Sequence, residues 1–219
     1  MPISSLFVSI FGPDGSGKST QARILANYLS SRGFSVKIAW IRSYHTVACI
    51  LSEFIARLSP HAVTLNTHGD VIRLNRISAG SAGRLMWTLI EFASLLPLVI
   101  FRVYLPLSMG NVVIAERYLP DSIVSIAYTL NNPDFDSCFV SKTMLRLIPR
   151  NSILIYLDSS YEEVKKRRGV MTDPEDFLRF QREMYERLSK RTKAVKIDTA
   201  QQSVEGTAKI IRSLLRCHK

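Results

Sequence analysis

Short apolar runs alternate with segments of helical periodicity along the 219 residues of the chain. The runs are rich in Val, Ile and Leu without polar alternation, which is typical of strands buried on both faces of a parallel sheet. The predicted strands cover residues 6–11, 36–41, 112–115, 153–157 and 194–198. The predicted helices cover residues 21–30, 46–58, a segment that begins at 69–73, 85–107, 121–130, 136–147, 161–168, 173–191 and 204–215, with a loop at 59–67. This alternation predicts an α/β fold in three layers, with a five-stranded parallel sheet and helices on both faces.

Residues 85–107 form the most apolar stretch of the chain. Glu91 and Arg102 interrupt it, Pro97 and Pro106 lie beside them, and the uncharged part is too short to cross a bilayer. We therefore expect a helix that is buried in the core or in a subunit interface. No repeat, linker or low-complexity segment divides the sequence, so residues 1–219 are predicted to form one domain.

Composition narrows the function only slightly. The 29 basic and 18 acidic residues give a net charge of +11, which suits nucleotides, nucleic acid or an acidic membrane equally well. The three cysteines are isolated and the four histidines lack metal-ligand spacing, which favours reduced thiols in a cytoplasmic protein. The N-terminus lacks the basic segment of a signal peptide.

Residues 12–20 match the pattern G-x-x-x-x-G-K-[ST], which wraps backbone N–H groups around the phosphates of a nucleotide. The predicted strand before it and the predicted helix after it are the context that this loop requires, so we expect the P-loop NTPase fold with a site for the phosphates of a nucleotide. Lys18 would reach the β- and γ-phosphates, and the Ser19 hydroxyl would take one position on Mg²⁺. The residues predicted to hold the nucleotide are Gly12, Asp14, Gly15, Ser16, Gly17, Lys18, Ser19 and Thr20.

Other charged residues follow the predicted strands, at the edge of the sheet where ligands bind in open α/β folds. Glu116 could order Mg²⁺ or accept a proton, and Arg117 could hold a phosphoryl group through two hydrogen bonds. Arg42 follows the second predicted strand and is placed for a second anion, while Thr199 follows the last. The basic cluster at 165–168 could close over the transferring phosphoryl as a short lid around 165–175.

Taken together, these motifs resemble the thymidylate kinase family over nearly the whole chain. The matching segments are the phosphate loop 12–21, the stretch 69–73, Glu116-Arg117-Tyr118, the lid Arg167-Arg168-Gly169 and the adenine-side loop 197–205. The resemblance implies transfer of the γ-phosphoryl group of ATP to dTMP, giving dTDP, with Mg²⁺. It also implies a homodimer of a cytoplasmic enzyme that pairs through the helix after the base-stacking Phe, with no nucleic-acid or membrane partner.

The resemblance carries roles to individual residues. Asp14 would lie near the sugar hydroxyl of the acceptor, Arg117 would hold the acceptor phosphate, and Phe92 would stack on the acceptor base. Arg167 and Arg168 would neutralise the transferring group. Glu116 would share Mg²⁺ with Ser19. Further residues expected on the acceptor side are Arg42, Arg73 and Tyr128, and Arg168 and Thr199 are expected on the nucleotide side.

Three departures from the family pattern all lie on the acceptor side. Leu96 stands where an arginine is expected, residues 42–45 replace an E-P-G-G stretch, and extra chain follows Tyr118. Two alternatives therefore stay open. A deoxynucleoside kinase is favoured by Glu116-Arg117, although no carboxylate base follows the second predicted strand. A nucleotide-binding protein without turnover is compatible with the charge and the altered acceptor side.

Overall fold

The computed structural model describes residues 5–41, 63–65, 71–74, 80–168 and 175–217. The strands in these ranges are β1 (Phe7–Phe11), β2 (Val36–Ala39), β3 (Val63–Leu65), β4 (Val71–Leu74), β5 (Val112–Glu116), β6 (Ser152–Asp158) and β7 (Val195–Asp198). The α-helices are α1 (Lys18–Ser30), α2 (Ser81–Val99), α3 (Leu105–Ser108), α4 (Leu119–Thr129), α5 (Phe139–Arg146), α6 (Tyr161–Arg168), α7 (Glu175–Thr192) and α8 (Val204–Cys217). A π-helical turn, Ile100–Tyr104, joins α2 to α3, and a 3-10 turn, Phe135–Ser137, precedes α5.

A parallel sheet of five strands, in the order β2-β5-β1-β6-β7, confirms the predicted α/β architecture. β1 lies at the centre and pairs with β5 on one side and with β6 on the other. Ile10 lies in register with Glu116, so the loop after β1 and the polar end of β5 meet at one edge of the sheet. The carboxyl ends of parallel strands create the ligand-binding edge of such folds.

Successive residues of β1 point to opposite faces of the sheet and supply two separate apolar cores. Val8 and Ile10 pack in the core that α1 and α8 cover. Phe7 and Phe11 pack in the larger core, which α2, α4, α5 and α7 cover. Helices therefore lie on both faces of the sheet, and the three predicted layers are confirmed.

The helical segment predicted at 85–107 is present but is buried on one side only. Trp87, Leu95, Val99 and Val103 enter the larger core. The other side carries an exposed apolar stripe, which consists of Leu85, Met86, Leu89, Ile100, Phe101, Tyr104, Leu105 and Met109. The segment Ser81–Ser108 is long and apolar enough to cross a membrane. Its most apolar 18 residues have a mean hydropathy of 1.7, and 28% of them are buried. Core helices of soluble proteins can be equally long and apolar.

The predicted helix that begins at 69–73 is wrong, because Val71–Leu74 forms β4. β4 pairs antiparallel with β3, which lies inside the predicted loop 59–67, and the register shifts at Thr64/Leu65. Three of the four residues of β4 are apolar and two are β-branched, a composition that fits a paired strand once a partner is present. The predicted helix at 46–58 lies outside the described residues.

Candidate active site

The phosphate loop connects β1 to α1, and its glycines adopt backbone angles that other residues rarely adopt. Gly12, Gly15 and Gly17 have φ values of 145°, 86° and 92°. A Cβ at Gly12 would collide with the carbonyl oxygen of Leu157 in β6, so the loop passes directly against the neighbouring strand. α1 begins at Lys18 with Gly17 as its N-cap, which turns the N-terminal end of the helix dipole towards the loop.

The ammonium group of Lys18 is enclosed by the loop that it serves. Its side chain is 4% exposed, and Nζ donates to the carbonyl oxygens of Gly12 and Pro13 at 2.7 Å each. Asp14 Oδ1 lies 3.4 Å from the same nitrogen. The pKa of Lys18 is lowered to about 8, mainly by burial and also by the positive charge of Arg117, while Asp14 opposes the shift. A buried cation whose nearest carboxylate lies at 3.4 Å is placed to receive an anion.

Ser19 and Glu116 bring two oxygen ligands together beside the loop. The Ser19 hydroxyl donates to the Glu116 carboxylate, which links the first turn of α1 to the end of β5. A hydroxyl and a carboxylate are ligands that Mg²⁺ accepts, and Mg²⁺ completes its shell with phosphate oxygens and water. No group of three or more acidic, His or Cys side chains that could hold a metal by itself occurs among the described residues. These two residues therefore fit a Mg²⁺ ion that is also bound by a nucleotide.

Arg117 occupies an unusual backbone conformation at the same edge of the sheet. Its φ is 73°, in the left-handed region that non-glycine residues seldom adopt. Two main-chain hydrogen bonds stabilise it, because its N–H donates to Ile10 O at 3.3 Å and its carbonyl accepts from Ile41 N–H at 3.2 Å. Its guanidinium pairs with Asp14. Burial alone would lower the pKa of Arg117, but the carboxylates of Asp14 and Asp121 raise it above the usual value.

Arg167 connects the end of α6 to both the phosphate loop and the loop after β7. It donates to the carbonyl oxygen of Thr199 at 2.6 Å and to the Thr199 hydroxyl at 3.2 Å. A longer hydrogen bond of 3.5 Å reaches Gly15 O, and Glu163 accepts from its Nε at 3.0 Å. Arg168 is the last residue of α6, and its side chain lies outside the described residues, as do residues 169–174.

A cavity of about 360 Å³ gathers most of the predicted nucleotide site. Its lining consists of Asp14, Gly15, Gly17, Lys18, Ser19, Thr20, Arg117 and Arg167. Three of these eight residues are cations and one is an anion, so the cavity has the charge that a phosphate chain requires. A larger cavity of about 560 Å³ between α6 and α7 has acidic and basic side chains in mixture and only Pro13 from the loop.

The residues predicted to contact the acceptor are less well assembled. Phe92 is half-buried and packs against the larger core. Tyr128 is 7% exposed, because its ring packs on Phe177 and Phe180 of α7 at centroid distances of 4.4 and 5.4 Å. The side chains of Arg42 and Arg73 lie outside the described residues.

Sequence reasoning missed two buried carboxylates that the structure places near the site. Asp121 lies in the first turn of α4 and accepts a hydrogen bond from Tyr185 of α7. Asp158 ends β6 and accepts two hydrogen bonds from Arg182, at 3.0 and 3.1 Å. The extra chain after Tyr118 was the visible signal for Asp121, whereas its partner on α7 is too distant in sequence to be inferred from a motif.

A central parallel strand that ends in a glycine loop around a buried lysine defines the P-loop NTPase fold. Two solved structures share it: thymidylate kinase from Ehrlichia chaffeensis has a TM-score of 0.58 and 19% identity, covering 97% of this chain and 99% of that one. Thymidylate kinase from Candida albicans has a TM-score of 0.62 and 17% identity, covering 99% of this chain and 94% of that one.

Sequence similarity narrows the class further. The chain is 30% identical over 224 residues to the probable thymidylate kinase of Pyrococcus abyssi (strain GE5 / Orsay), and the match covers 96% of this chain and 95% of that protein. The chain therefore belongs to the thymidylate kinase family. No protein-family model matches it.

Proposed function

We propose that the protein transfers the γ-phosphoryl group of ATP to dTMP and releases dTDP and ADP. The observation that carries the proposal is the convergence of Lys18, Ser19, Glu116 and Arg117 around one cationic cavity. Membership of the thymidylate kinase family over nearly the whole chain supports the choice of acceptor.

In the proposed mechanism, the loop amides and Lys18 hold the β- and γ-phosphates, and Arg117 exchanges Asp14 for the acceptor phosphate. Arg167 and Arg168 then neutralise charge on the transferring group, while Asp14 is released towards the sugar hydroxyl of the acceptor. Catalysis consists of positioning and charge neutralisation, because the acceptor phosphate is already an anion and needs no base. Mg²⁺, when bound by Ser19 and Glu116, would offset the charge of the phosphates.

The remaining roles complete the binding of the two nucleotides. Phe92 stacks on the acceptor base, and Thr199 lies on the adenine side, where Arg167 already contacts it. Arg42, Arg73 and Tyr128 belong to the acceptor side. The nucleotide-binding set is Gly12, Asp14, Gly15, Ser16, Gly17, Lys18, Ser19, Thr20, Arg168 and Thr199.

A coupled assay of ADP release with Mg-ATP tests the proposal against a panel of acceptors. We expect turnover with dTMP, and near loss of turnover in Lys18→Ala. Lys37→Ala is the matched control, since Lys37 is exposed on β2 and should leave the rate unchanged. Turnover only with thymidine or deoxycytidine would identify a nucleoside kinase instead. ATP binding without turnover on any acceptor would identify a non-catalytic binder.

We also propose that two copies of the chain pair through the apolar stripe that runs along α2, the π-helical turn and α3. The stripe repeats at helical spacing over about 30 Å of helix, and Phe101 is 65% exposed in the single chain. Eight exposed large apolar side chains along one helical segment are typical of an interface. The opposite side of α2 is held in the core through Trp87 and Leu95, which favours a cytoplasmic dimer over insertion into a membrane.

Sedimentation at micromolar concentration tests this pairing. The wild type should sediment at twice the chain mass of 24.8 kDa. The double variant Leu89→Glu/Phe101→Glu should sediment as a monomer, because pairing would bury its carboxylates. Val204→Glu places the same charge on an exposed apolar residue at the start of α8 and should leave the mass unchanged. A monomeric wild type would contradict the proposal.

A further inference from the structure

Asp121 is a buried carboxylate whose two oxygens are both held by neutral donors. It is 2% exposed in the first turn of α4. Oδ2 accepts from the main-chain N–H of Tyr118 at 3.0 Å, and Oδ1 accepts from the hydroxyl of Tyr185 at 2.9 Å. Burial raises its pKa, and the positive charges of Lys18 and Arg117 oppose that rise. Because Tyr118 directly follows Arg117 in the chain, its hydrogen bond holds the Asp121 carboxylate beside the main chain of Arg117.

The capping of α4 does not account for this arrangement. A helix N-terminus needs one carboxylate oxygen for the N-cap N–H, and such a residue is normally solvated. Asp136, another aspartate with almost no exposure on this side of the sheet, shows the usual compensation, since Arg187 and Arg191 lie 3.5 and 3.0 Å from its oxygens. Among the described residues, no cation lies within ion-pair distance of Asp121.

A carboxylate that lies near Arg117 without contacting it can stabilise the charge of the buried guanidinium. A buried guanidinium needs negative charge nearby to offset its desolvation. Asp14 supplies that charge by direct contact and so occupies part of the guanidinium. Among the described residues, Asp121 accepts no hydrogen bond from Arg117, yet its negative charge acts on Arg117. Because Asp121 offsets the charge of Arg117 without accepting its hydrogen bonds, the N–H donors that Asp14 leaves open stay available for a phosphate.

We propose that Asp121, held in place by the Tyr185 hydroxyl, is a positioning residue that balances the charge of Arg117 without occupying its N–H donors, so that Arg117 can exchange Asp14 for the acceptor phosphate. The proposal rests on the proposed function, because that function assigns the acceptor phosphate to Arg117. It also requires α7 to pack correctly, because Tyr185 of that helix holds Asp121 in place on the acceptor side of the site.

Steady-state kinetics with matched variants test the proposal. Tyr185→Phe removes the hydroxyl that holds Asp121. Asp121→Asn removes the charge but keeps one oxygen that can accept from the Tyr118 N–H, and its amide N–H can donate to the hydroxyl oxygen of Tyr185. Each should lower kcat/KM for dTMP about tenfold through misplacement of Arg117, and Tyr185→Phe, which leaves the charge of Asp121 in place, should not change the dissociation constant of ATP. Tyr118→Phe is the matched control, because Tyr118 is equally buried and its hydroxyl donates instead to Leu147 O at 2.8 Å.

A double-mutant cycle separates positioning from general stability. In an Arg117→Met background, Tyr185→Phe should have no further effect on kcat/KM, because the residue through which it acts is gone. The same loss in both backgrounds would overturn the proposal. An equal loss in Tyr118→Phe would overturn it as well.

A spectroscopic measurement keeps the proposal testable apart from turnover. The Nε–H resonance of Arg117 can be assigned by its disappearance in Arg117→Met. Asp121→Asn and Tyr185→Phe should shift or broaden this resonance, while Asp136→Asn and Tyr118→Phe should leave it unchanged. An unmoved resonance in Asp121→Asn would refute the positioning role. A wild type that phosphorylates no monophosphate would refute the proposed function, and the resonance would then decide the role of Asp121 by itself.

Discussion

The burial of Lys18 leads to a specific dependence of nucleotide affinity on pH. In the free protein the pKa of Lys18 is lowered to about 8, mainly by burial. A bound phosphate chain brings negative charge to the ammonium and returns its pKa towards the ordinary value. Binding therefore takes up a proton above pH 8. The affinity is therefore highest below this pKa, and it falls as the pH rises through the pKa of Lys18 in the free protein.

The size of the effect follows from the two pKa values. With a pKa of about 8 in the free protein and about 10.4 in the complex, affinity should fall about 20-fold between pH 7.5 and pH 9.5. Almost all of the fall lies above pH 8, and the curve flattens again when the complex itself begins to lose the proton.

Calorimetric titration with ADP without Mg²⁺ measures this affinity at constant ionic strength. ADP is already ionised at pH 7.5. The buried phenols of Tyr118, Tyr156 and Tyr185 have pKa values raised by burial, so they stay neutral throughout the range. Lys18→Arg is the control, because its guanidinium does not titrate below pH 12 and should give a flat profile.

Two results would refute this reasoning. An affinity of the wild type that stays constant from pH 7.5 to 9.5 would show that Lys18 keeps its proton throughout. A fall of the same size in Lys18→Arg would show that another group titrates.

The backbone and the buried charges give two further predictions, both measurable by urea unfolding. Gly12→Ala should abolish ATP binding and lower the free energy of unfolding by more than about 2 kcal/mol, because the added Cβ collides with the main chain. Gly33→Ala is the control, because Gly33 has a φ of 84° but lies in open space. It should lower the free energy of unfolding by about 1 kcal/mol and leave ATP binding intact. Asp158→Asn should cost about 1–2 kcal/mol at pH 7. Burial raises the pKa of Asp158, but hydrogen bonds from Arg182 and Lys196 lower it overall, so this difference should shrink as the pH falls below about 4. A difference independent of pH would contradict this assignment.

The parts of the fold that sequence predicted are those whose signals are local. The strand, glycine loop and helix around Lys18 follow one another along the chain, and the periodicity of each buried strand is visible in a few residues. The β3–β4 hairpin was missed because Val71–Leu74 becomes a strand only through its pairing with Val63–Leu65. Such pairing is a tertiary contact that single-segment propensity does not contain.

The site divides in the same way. Glu116 and Arg117 could be placed because both follow a recognisable strand, and the structure brings them to the loop. The hydrogen bond from Tyr185 to Asp121 could not be predicted from the sequence, because it depends on how α7 packs on α4. Sequence also could not show that the apolar side of α2 is exposed, because periodicity indicates which residues share a face and not what covers it.

The central position of β1 has a consequence for how the protein acquires its ligand site. The loop sequence is contiguous, but Phe7 must pair with Val113 and with Ser152 before Glu116 and Leu157 border the loop. Pairings between such distant parts of a chain are slow to form during folding. A partly synthesised or partly folded chain therefore contains the loop sequence without a nucleotide site. Because nucleotide then binds only the completed sheet, it stabilises the whole fold rather than the loop alone.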